Sequence, residues 1–427
     1  MKRLTVFLLA FCLLWGTASA EALHVLNPGW GREGYEERYP DRAMEEIRVE
    51  YDDNGNTNTQ KFLLDNPNGW DVAFLETREC DLAALGAAGL LMDLREVEEL
   101  AGRVGNMHAP IREVVTDGDR IVAMPLTIFG SVMQLAMLPT FRTKEGELDL
   151  LTPLGLSMAD APKTFDELCD LAERYMALPK EMRKGRVFHH DAAAGNPKQY
   201  FLAYLIELYT AQYCAVDGSI SYDTPEFRHA LERLESMAAA LQADPKFTYG
   251  QTSTVYGLVY DGSSNLLSDK LYTKLYLRIG ENTSVPAQLG MLIVNANTTL
   301  KAEALDFVLC AVENNEYMFG PSLYASMDYE ALARSSYDQN IKAQIHQNED
   351  QSVIDRIIRE RDSGEYPGYV ARETIESYAQ NVAPRLTFAR VPWVDRYAIS
   401  KEYVRGRLDM EGLIEKLNSE AEENKIR

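Results

Sequence analysis

Short apolar runs alternate with longer segments of mixed polarity along this chain, a pattern typical of α/β proteins. The clearest run, from Asp71 to Leu75, follows turn residues at 66–69 and predicts a strand that is buried on both faces. It ends at Glu76, and Arg78 follows two residues later. Open α/β sheets bind ligands at the carboxyl ends of their strands, so ligand-binding residues are expected at such positions.

The same patterns predict the other elements of the chain. Strands are expected at 23–26, 47–51, 121–130, 132–138, 186–190, 255–260 and 287–295. Helices are expected at 93–102, 164–178, 199–213, 225–241, 301–314, 329–347, 353–362, 372–382 and 410–424. Thr164 and Glu167 have the spacing of a capping box. Pro125 lies within an apolar run, where proline interrupts strand pairing, so the chain is expected to pass between domains near 126–131.

The first twenty residues have the three parts of a secretory signal peptide. A basic start precedes an apolar stretch, and a small-residue cleavage site ends at Ala20. Phe11 precedes Cys12, whereas a lipoprotein signal needs a small residue there, so cleavage after Ala20 and export of a soluble chain are expected. No later stretch is apolar for about 18 residues, and the sequence therefore predicts no membrane-spanning helix.

The charge of the mature chain excludes one class of partner. The full sequence has a formal charge of −22, and loss of Lys2 and Arg3 with the signal peptide makes it −24. Binding to nucleic acid needs a basic surface. Neither nucleic acid nor an anionic membrane is therefore an expected partner.

The spacing of reactive residues gives no metal-binding or catalytic motif. The mature chain has four cysteines at long, irregular intervals, namely Cys80, Cys169, Cys214 and Cys310. They indicate no zinc site, and both one or two disulfides and buried free thiols are compatible with them. No HExxH, GxSxG, P-loop or GxGxxG pattern occurs. The sequence therefore predicts no metal ion, no cofactor and no enzymatic activity.

Polar and aromatic residues recur at or just after the ends of predicted strands. They are Trp30, Glu76, Arg78, Phe129, Asn196, Tyr200, Asp261, Ser263 and Ser264. Aromatic faces beside a few orienting polar groups are typical of small-molecule sites. Together these residues predict a ligand cleft between two α/β lobes.

Several short motifs also follow one another in a characteristic order. They are IRVE at 47–50, WDV at 70–72, GLLMDL at 89–94, DG at 117–118 with MP at 124–125, PKTFDEL at 162–168, KAEALDF at 301–307 and YVRGRL at 403–408. In this order the chain resembles the extracellular solute-binding proteins of ABC importers, the group that includes maltose-binding proteins. Each motif is weak alone, but their order covers nearly the whole mature chain. Phe165 stands where that family usually has tryptophan.

The resemblance implies a periplasmic-binding-protein-like α/β fold, with two lobes joined by a multi-crossing hinge and the ligand in the cleft between them. After the signal peptide at 1–20, it places 21–126 with about 287–320 in the N-terminal lobe. The C-terminal lobe would then comprise 127–286 with about 321–427. The resemblance also adds Trp393 to the expected cleft residues.

By the same resemblance, the ligand is expected to be a small molecule, a sugar or oligosaccharide before other classes. Arg78 would equally suit a carboxylate-bearing ligand, because a guanidinium matches a carboxylate, and peptides and polyamines stay open. The implied partner is the transmembrane permease of an ABC transporter, and the implied state is a monomer in the periplasm or at the cell surface. Two alternatives remain at this point: a protein that presents its ligand to a membrane sensor, and a secreted glycan-acting hydrolase with two cleft carboxylates.

Overall fold

The computed structural model describes residues 21–29, 31–49, 59–143, 146–183, 188, 197–242, 257–267, 272–326, 328, 350–362 and 372–425. The expected signal peptide, the helix expected at 329–347 and the site residues Trp30 and Asn196 lie outside them. Of the strand expected at 186–190, only Phe188 is described.

The elements are numbered in chain order. The strands are β1 (Leu23–Leu26), β2 (Met44–Ile47), β3 (Val72–Glu76), β4 (Thr116–Asp117), β5 (Arg120–Ile121), β6 (Met124–Gly130), β7 (Gln134–Met137), β8 (Thr140–Thr143), β9 (Gly146–Asp149), β10 (Val259–Ser263), β11 (Thr273–Leu275), β12 (Val285–Val294) and β13 (Leu386–Thr387). The helices are α1 (Arg32–Arg38), α2 (Thr59–Asp65), α3 (Leu82–Ala87), α4 (Glu98–Gly105), α5 (Ala109–Val115), α6 (Phe165–Ala177), α7 (Lys180–Arg183), α8 (Pro197–Tyr213), α9 (Pro225–Gln242), α10 (Lys301–Leu323), α11 (Gln351–Asp362), α12 (Arg372–Asn381), α13 (Arg396–Val404) and α14 (Met410–Glu423).

The first lobe is built on a six-stranded mixed sheet. In it, β1 pairs in parallel with β2 and β3, and β12 lies antiparallel between β3 and β6. The apolar run predicted to be a buried strand is β3, and Val72, Ala73 and Leu75 are fully buried in the core of this lobe. The carboxyl end of β3 therefore brings Glu76 to the edge of the sheet.

The second lobe has a three-stranded antiparallel sheet in the order β10-β7-β11 and a largely helical core. Its central helix, α8, is apolar on all sides, and most of its side chains are buried, as expected of a helix surrounded by protein. The helices α9 and α13 pack against it. This arrangement fixes the position of α8 at the centre of the second lobe.

In the described part of the chain, three connecting segments run between the two hydrophobic cores, and the loop after β10 also reaches the first core through Leu266 and Leu267. The first passage runs from Phe129, which packs on the first core, to Val132 in the second core. The second runs from Ile279 in the second core to Val285 in the first. The third runs from Phe388, which packs on the first core, to Val391, which packs on the second. The first passage follows the run with Pro125, where the pairing of β6 with β12 shifts register opposite Gly290 and Met291. The two α/β lobes and the multi-crossing hinge expected from the sequence are confirmed.

Core membership differs from the expected lobe boundaries near the passages, where Ile128, Leu266 and Val285 belong to the first core, and over a longer stretch near the carboxyl terminus. The sequence placed 321–427 entirely in the C-terminal lobe. In the structure Leu323, Tyr324, Tyr378 and Leu386 are buried in the first core instead. The segment up to β13 packs there because β13 adds to the edge of β12.

Several elements lie where the sequence predicted them, and others are displaced. The Thr164 hydroxyl accepts a hydrogen bond from Glu167 N at 3.0 Å and so caps α6, but the Glu167 carboxylate accepts from Lys163 N at 2.7 Å rather than from Thr164. The second strand was expected at 47–51 and is found at Met44–Ile47. The helix expected at 301–314 continues to Leu323. The predicted helix at 93–102 is a 3-10 turn, Leu94–Glu96, followed by α4.

Two further expectations, about the cysteines and about membrane-spanning helices, can be compared with the structure. The four cysteines that the structure describes, Cys80, Cys169, Cys214 and Cys310, are free thiols. Within the part of the chain that the structure describes, no helix is both long and apolar enough to cross a membrane.

Gly290 on β12 is expected to be intolerant of a side chain. A Cβ atom there would lie 2.2 Å from Thr127 Oγ1 and 2.6 Å from Phe74 Cζ, on neighbouring strands. We expect Gly290→Ala to lower the free energy of unfolding by about 1–3 kcal/mol, because an overpacked core must shift its side chains. Urea denaturation measures the change.

Gly102→Ala is the matched control, since nothing lies within 4 Å of its would-be Cβ inside α4. It is expected to stabilise the protein by up to about 1 kcal/mol through helix propensity. Equal effects of the two substitutions would contradict the close packing at Gly290.

Candidate functional site

The end of β3 places Glu76 and Arg78 at the edge of the first lobe. Their side chains form an ion pair, with 2.8 Å between Arg78 Nε and Glu76 Oε2, and Arg78 is about half exposed. Thr77 between them extends the sheet, because its N donates to Leu289 O at 3.0 Å and its hydroxyl accepts from Leu289 N at 3.1 Å. The predicted pair is therefore held on a rigid strand end, with the charge of Arg78 met by Glu76.

Phe129 lies at the first passage between the lobes. Its ring packs edge-on against Phe319 of α10, with 5.1 Å between the ring centroids and an angle of 81°. It is partly buried against the first core. This contact holds the end of β6 in place and leaves only part of the ring for a ligand.

On the second lobe, the structure brings together two of the predicted residues. The hydroxyl of Tyr200, in the first turn of α8, donates to the carboxylate of Asp261 on β10. The two residues are 61 positions apart in the chain. The aromatic start of α8 therefore meets β10.

Ser263 and Ser264 are tied to their surroundings by main-chain and side-chain bonds. The buried Lys274 ammonium donates to Ser263 Oγ at 2.8 Å and to the carbonyl oxygens of Ser263 and Asn265. Burial lowers the pKa of Lys274 to about 8. Gly130 N donates to Ser264 O at 2.6 Å. These serines therefore link β10 to the first passage between the lobes, in addition to any contact with a ligand.

The sequence argument missed a second pair of charged residues, Glu207 on α8 and Arg396 on α13. Glu207 lies on the same face of α8 as Tyr200. Glu207 follows Tyr200 by seven positions, a spacing that returns to one helix face. Its Oε2 lies 3.1 Å from a terminal guanidinium nitrogen of Arg396 on α13. Burial raises the pKa of the Glu207 carboxyl to about 7, with Arg396 opposing the rise and Asp261 adding to it.

The sequence contains a signal for one member of this pair, Glu207. Glu207 is the one charged residue between positions 199 and 213, in a helix that is otherwise apolar or uncharged. A buried carboxylate is retained at such a position only when a partner compensates its charge. Its partner, Arg396, is too distant in the chain to be found by pattern.

Large exposed apolar side chains concentrate around the Glu207–Arg396 pair. Six are exposed in the described part of the chain, namely Leu64, Met133, Met182, Val216, Trp393 and Tyr397. Two of them contact this pair, since the Met133 amide hydrogen-bonds Glu207 and the guanidinium of Arg396 lies 5.1 Å from the Tyr397 ring centroid. A third, Trp393, comes three residues before Arg396 in the chain. Trp393 and Tyr397 are 44% and 45% exposed. We call Glu207, Arg396, Met133, Trp393 and Tyr397 the aromatic patch.

Candidate metal ligands do not cluster in the described residues: no group of three or more His, Cys, Asp or Glu side chains there is arranged to hold an ion. Two guanidinium groups of the candidate site, those of Arg78 and Arg396, each face a carboxylate. The arrangement offers hydrogen-bond donors and acceptors beside exposed aromatic rings, with little unpaired charge.

The raised pKa of Glu207 predicts how the stability of a variant depends on pH. Between the ordinary carboxyl value of 4.5 and about 7, the folded chain keeps a proton that the unfolded chain has released. The free energy of unfolding of the wild type therefore falls over this interval as pH rises. Glu207→Gln removes this titration. The free energy of unfolding of the variant, relative to that of the wild type, should therefore rise by about 1–3 kcal/mol from pH 5 to pH 8.

Urea denaturation at the two pH values measures this difference. Glu415→Gln, on an exposed face of α14, controls for the loss of a carboxylate. A difference between Glu207→Gln and the wild type that is the same at pH 5 and pH 8 would contradict the buried environment of Glu207.

Comparison with known proteins gives structural matches only. No protein-family profile matches the chain, and no curated protein sequence matches it. A solved structure from work on xylan utilization by the thermophilic bacterium Caldanaerobius polysaccharolyticus is similar with a TM-score of 0.51 and 15% identity, over 93% of this chain and 99% of that one. An ABC transporter solute-binding protein from Agrobacterium vitis S4, with D-mannitol bound, is similar with a TM-score of 0.50 and 12% identity, over 94% of this chain and 97% of that one. The similarity extends over essentially the whole length of both chains and shows a common fold.

Proposed function

We propose that this chain, which has the two-lobed fold of ABC transporter solute-binding proteins, is an exported receptor for a small solute. Its ligand is a sugar or oligosaccharide, and it delivers this ligand to the permease of an ABC transporter. It carries out no chemical step of its own. The alternatives of a sensor-coupled protein and a hydrolase have no observation in the structure that favours them.

The aromatic patch is the observation that carries this proposal. A sugar has hydroxyl groups around its rim and apolar C–H faces, so it needs aromatic surfaces next to paired donors and acceptors. Trp393 and Tyr397 supply exposed rings, and the Glu207–Arg396 pair supplies an acceptor and several donors. The Nε of Arg396 is buried and has no hydrogen-bond partner among the described residues.

The charge pattern supports an uncharged ligand over a carboxylate-bearing one. Arg78, the residue that would suit a carboxylate, already pairs with Glu76 at 2.8 Å. Arg396 likewise pairs with Glu207. A ligand carboxylate would have to compete with a protein carboxylate at either guanidinium, whereas hydroxyl groups can add to the pairs without displacing them.

The remaining predicted residues fit the same proposal. We place Glu76 and Arg78 on the first-lobe side of the ligand, and Tyr200, Asp261, Ser263 and Ser264 on the second-lobe side. Ligand would then be held between the lobes, which close about the three passages of the chain, as hinged binding proteins do. Trp30 and Asn196, which lie outside the described residues, are proposed to complete the cleft.

The first experiment is a thermal-shift screen of residues 21–427 against sugars, oligosaccharides, polyols such as D-mannitol, amino acids, peptides and polyamines. A ligand at about 100 times its Kd adds roughly 2.7 kcal/mol of stability, which raises the Tm by a few degrees. We expect neutral sugars or their oligomers to stabilise the protein and to be recovered unchanged. Stabilisation by an acidic ligand alone, or turnover of the ligand, would contradict the proposal.

Trp393→Ala tests the placement of the site with whichever sugar the screen identifies. Trp393 is 44% exposed, so its replacement should lower the free energy of unfolding by about 1–3 kcal/mol, leave the protein folded and remove a stacking surface. We expect the ligand-induced rise in Tm to be lost or strongly reduced, as measured by thermal shift and isothermal titration calorimetry.

Leu64→Ala, at an exposed position on α2 of the first lobe, is the matched control and should leave the rise in Tm unchanged. Normal binding by Trp393→Ala would show that the aromatic patch is not the ligand site.

A further inference from the structure

The third passage between the lobes contains an arginine with an unusual position. Phe388 packs on the first core and Val391 on the second, so Arg390 lies where the chain changes lobes. Its side chain is only 17% exposed. A guanidinium held at this point can contact both lobes at once.

Arg390 contacts the second lobe through the loop that follows α8. Its Nε donates to Val216 O at 3.3 Å, and its own carbonyl oxygen accepts from the Cys214 thiol, with 3.7 Å between sulfur and oxygen. Gly218 in this loop has φ of +85°, and a Cβ there would lie 3.0 Å from Arg390 O. The loop is therefore fitted closely to the Arg390 backbone.

Arg390 contacts the first lobe through Asp81. A terminal guanidinium nitrogen lies 3.5 Å from Asp81 Oδ2. The other carboxylate oxygen, Oδ1, caps α3 by accepting from Ala83 N at 2.9 Å and from Ala84 N at 3.3 Å. The Asp81 N donates to Gln60 Oε1 at 2.7 Å. Asp81 is thus fixed in the first lobe, five residues beyond Glu76, independently of the ion pair.

We propose that the Asp81–Arg390 ion pair is a tie between the lobes that sets their arrangement in the absence of ligand. Both of its ends are anchored by other bonds, one in each lobe, and the tie joins the lobes beside the third passage. Any hinge rotation that separates α3 from the 214–218 loop must break it. Because the tie needs no ligand, its test is independent of the proposed function.

The population of lobe arrangements is expected to respond to loss of the tie. Partly exposed ion pairs change an equilibrium by about two- to fivefold. Loss of either partner should therefore change the ratio between this lobe arrangement and any other by about two- to fivefold. Because the two residues act through one contact, the double variant should show no further change.

Distances between spin labels on the ligand-free protein test this directly. Labels at Glu37→Cys on α1 and Glu415→Cys on α14 report the separation of the lobes, since both positions are exposed. Cys80, Cys169 and Cys310 are buried, and Cys214→Ser removes the partly exposed thiol while it keeps a donor to Arg390 O. Pulsed electron resonance then gives the distance distribution.

The variants are Arg390→Gln, Asp81→Asn and the double variant. Asparagine keeps a side-chain oxygen that can cap α3, so Asp81→Asn removes the charge without removing the cap. The control is Lys416→Gln, which removes an ion pair with Glu402 that lies wholly in the second lobe at 2.8 Å. Circular dichroism verifies that each variant is folded, and Asp81→Asn serves alone if Arg390→Gln does not fold.

We expect the distance distribution to shift in the same sense in both single variants, to be no further changed in the double variant and to be unaltered in Lys416→Gln. A distribution that stays the same in all variants would overturn the proposal. Shifts that add in the double variant would also overturn it, because they would show that Asp81 and Arg390 act separately.

Discussion

The pairing of β12 with strands from both sides of the first-lobe sheet is the constraint on which the rest of the structure depends. β12 lies between β3 and β6, and nine of its ten residues are buried. The chain reaches it only after the excursion through β7 to β11, which builds most of the second lobe. The first sheet therefore closes around a strand that returns from the second lobe, and the two lobes are joined at both ends of that excursion. Gly290 permits the close approach of Thr127 and Phe74 that this insertion requires.

The passages between the lobes are held by specific bonds rather than left as free linkers. Ser131 N donates to Pro286 O at 3.0 Å, which joins the first passage to the second. The second passage is organised by the buried side chain of Gln212, which donates to Leu277 O at 2.7 Å and accepts from Ile279 N at 3.1 Å. The third passes beside the loop after α8, where Arg390 lies. The carboxyl-terminal end of α8 thus positions two of the three passages, and the same helix carries Tyr200 and Glu207.

The electrostatics of the candidate site follow from burial. A carboxylate next to the apolar surface of α8 is costly to ionise without a partner, and Arg396 is the partner that permits it. The same reasoning applies to Lys274, whose buried ammonium is surrounded by carbonyl oxygens and the Ser263 hydroxyl. Charged groups that pair within the protein can still form hydrogen bonds to a ligand, but they produce little net electrostatic field at the site. Such a site suits a polar but uncharged ligand. The acidic composition of the chain does not contradict this, because the carboxylates of the candidate site are only a few of its 65 acidic residues.

Local chemistry in the sequence determined the elements whose signals are short-range. Residues within a few positions of one another determine the buried strand β3, the Thr164 cap of α6 and the apolar helix α8. The polar strand end at Glu76 follows from the same kind of local signal. The two-lobed fold followed from the order of such motifs. Pattern could not place β2, because Met44–Ile47 is selected by pairing with β1 rather than by its own mixed composition. Nor could it find the Glu207–Arg396 and Asp81–Arg390 pairs, whose members are far apart in the chain. Those contacts exist only because packing of α8, α13 and the third passage brings distant charges together, and a long-range contact leaves no period in the sequence that would reveal it.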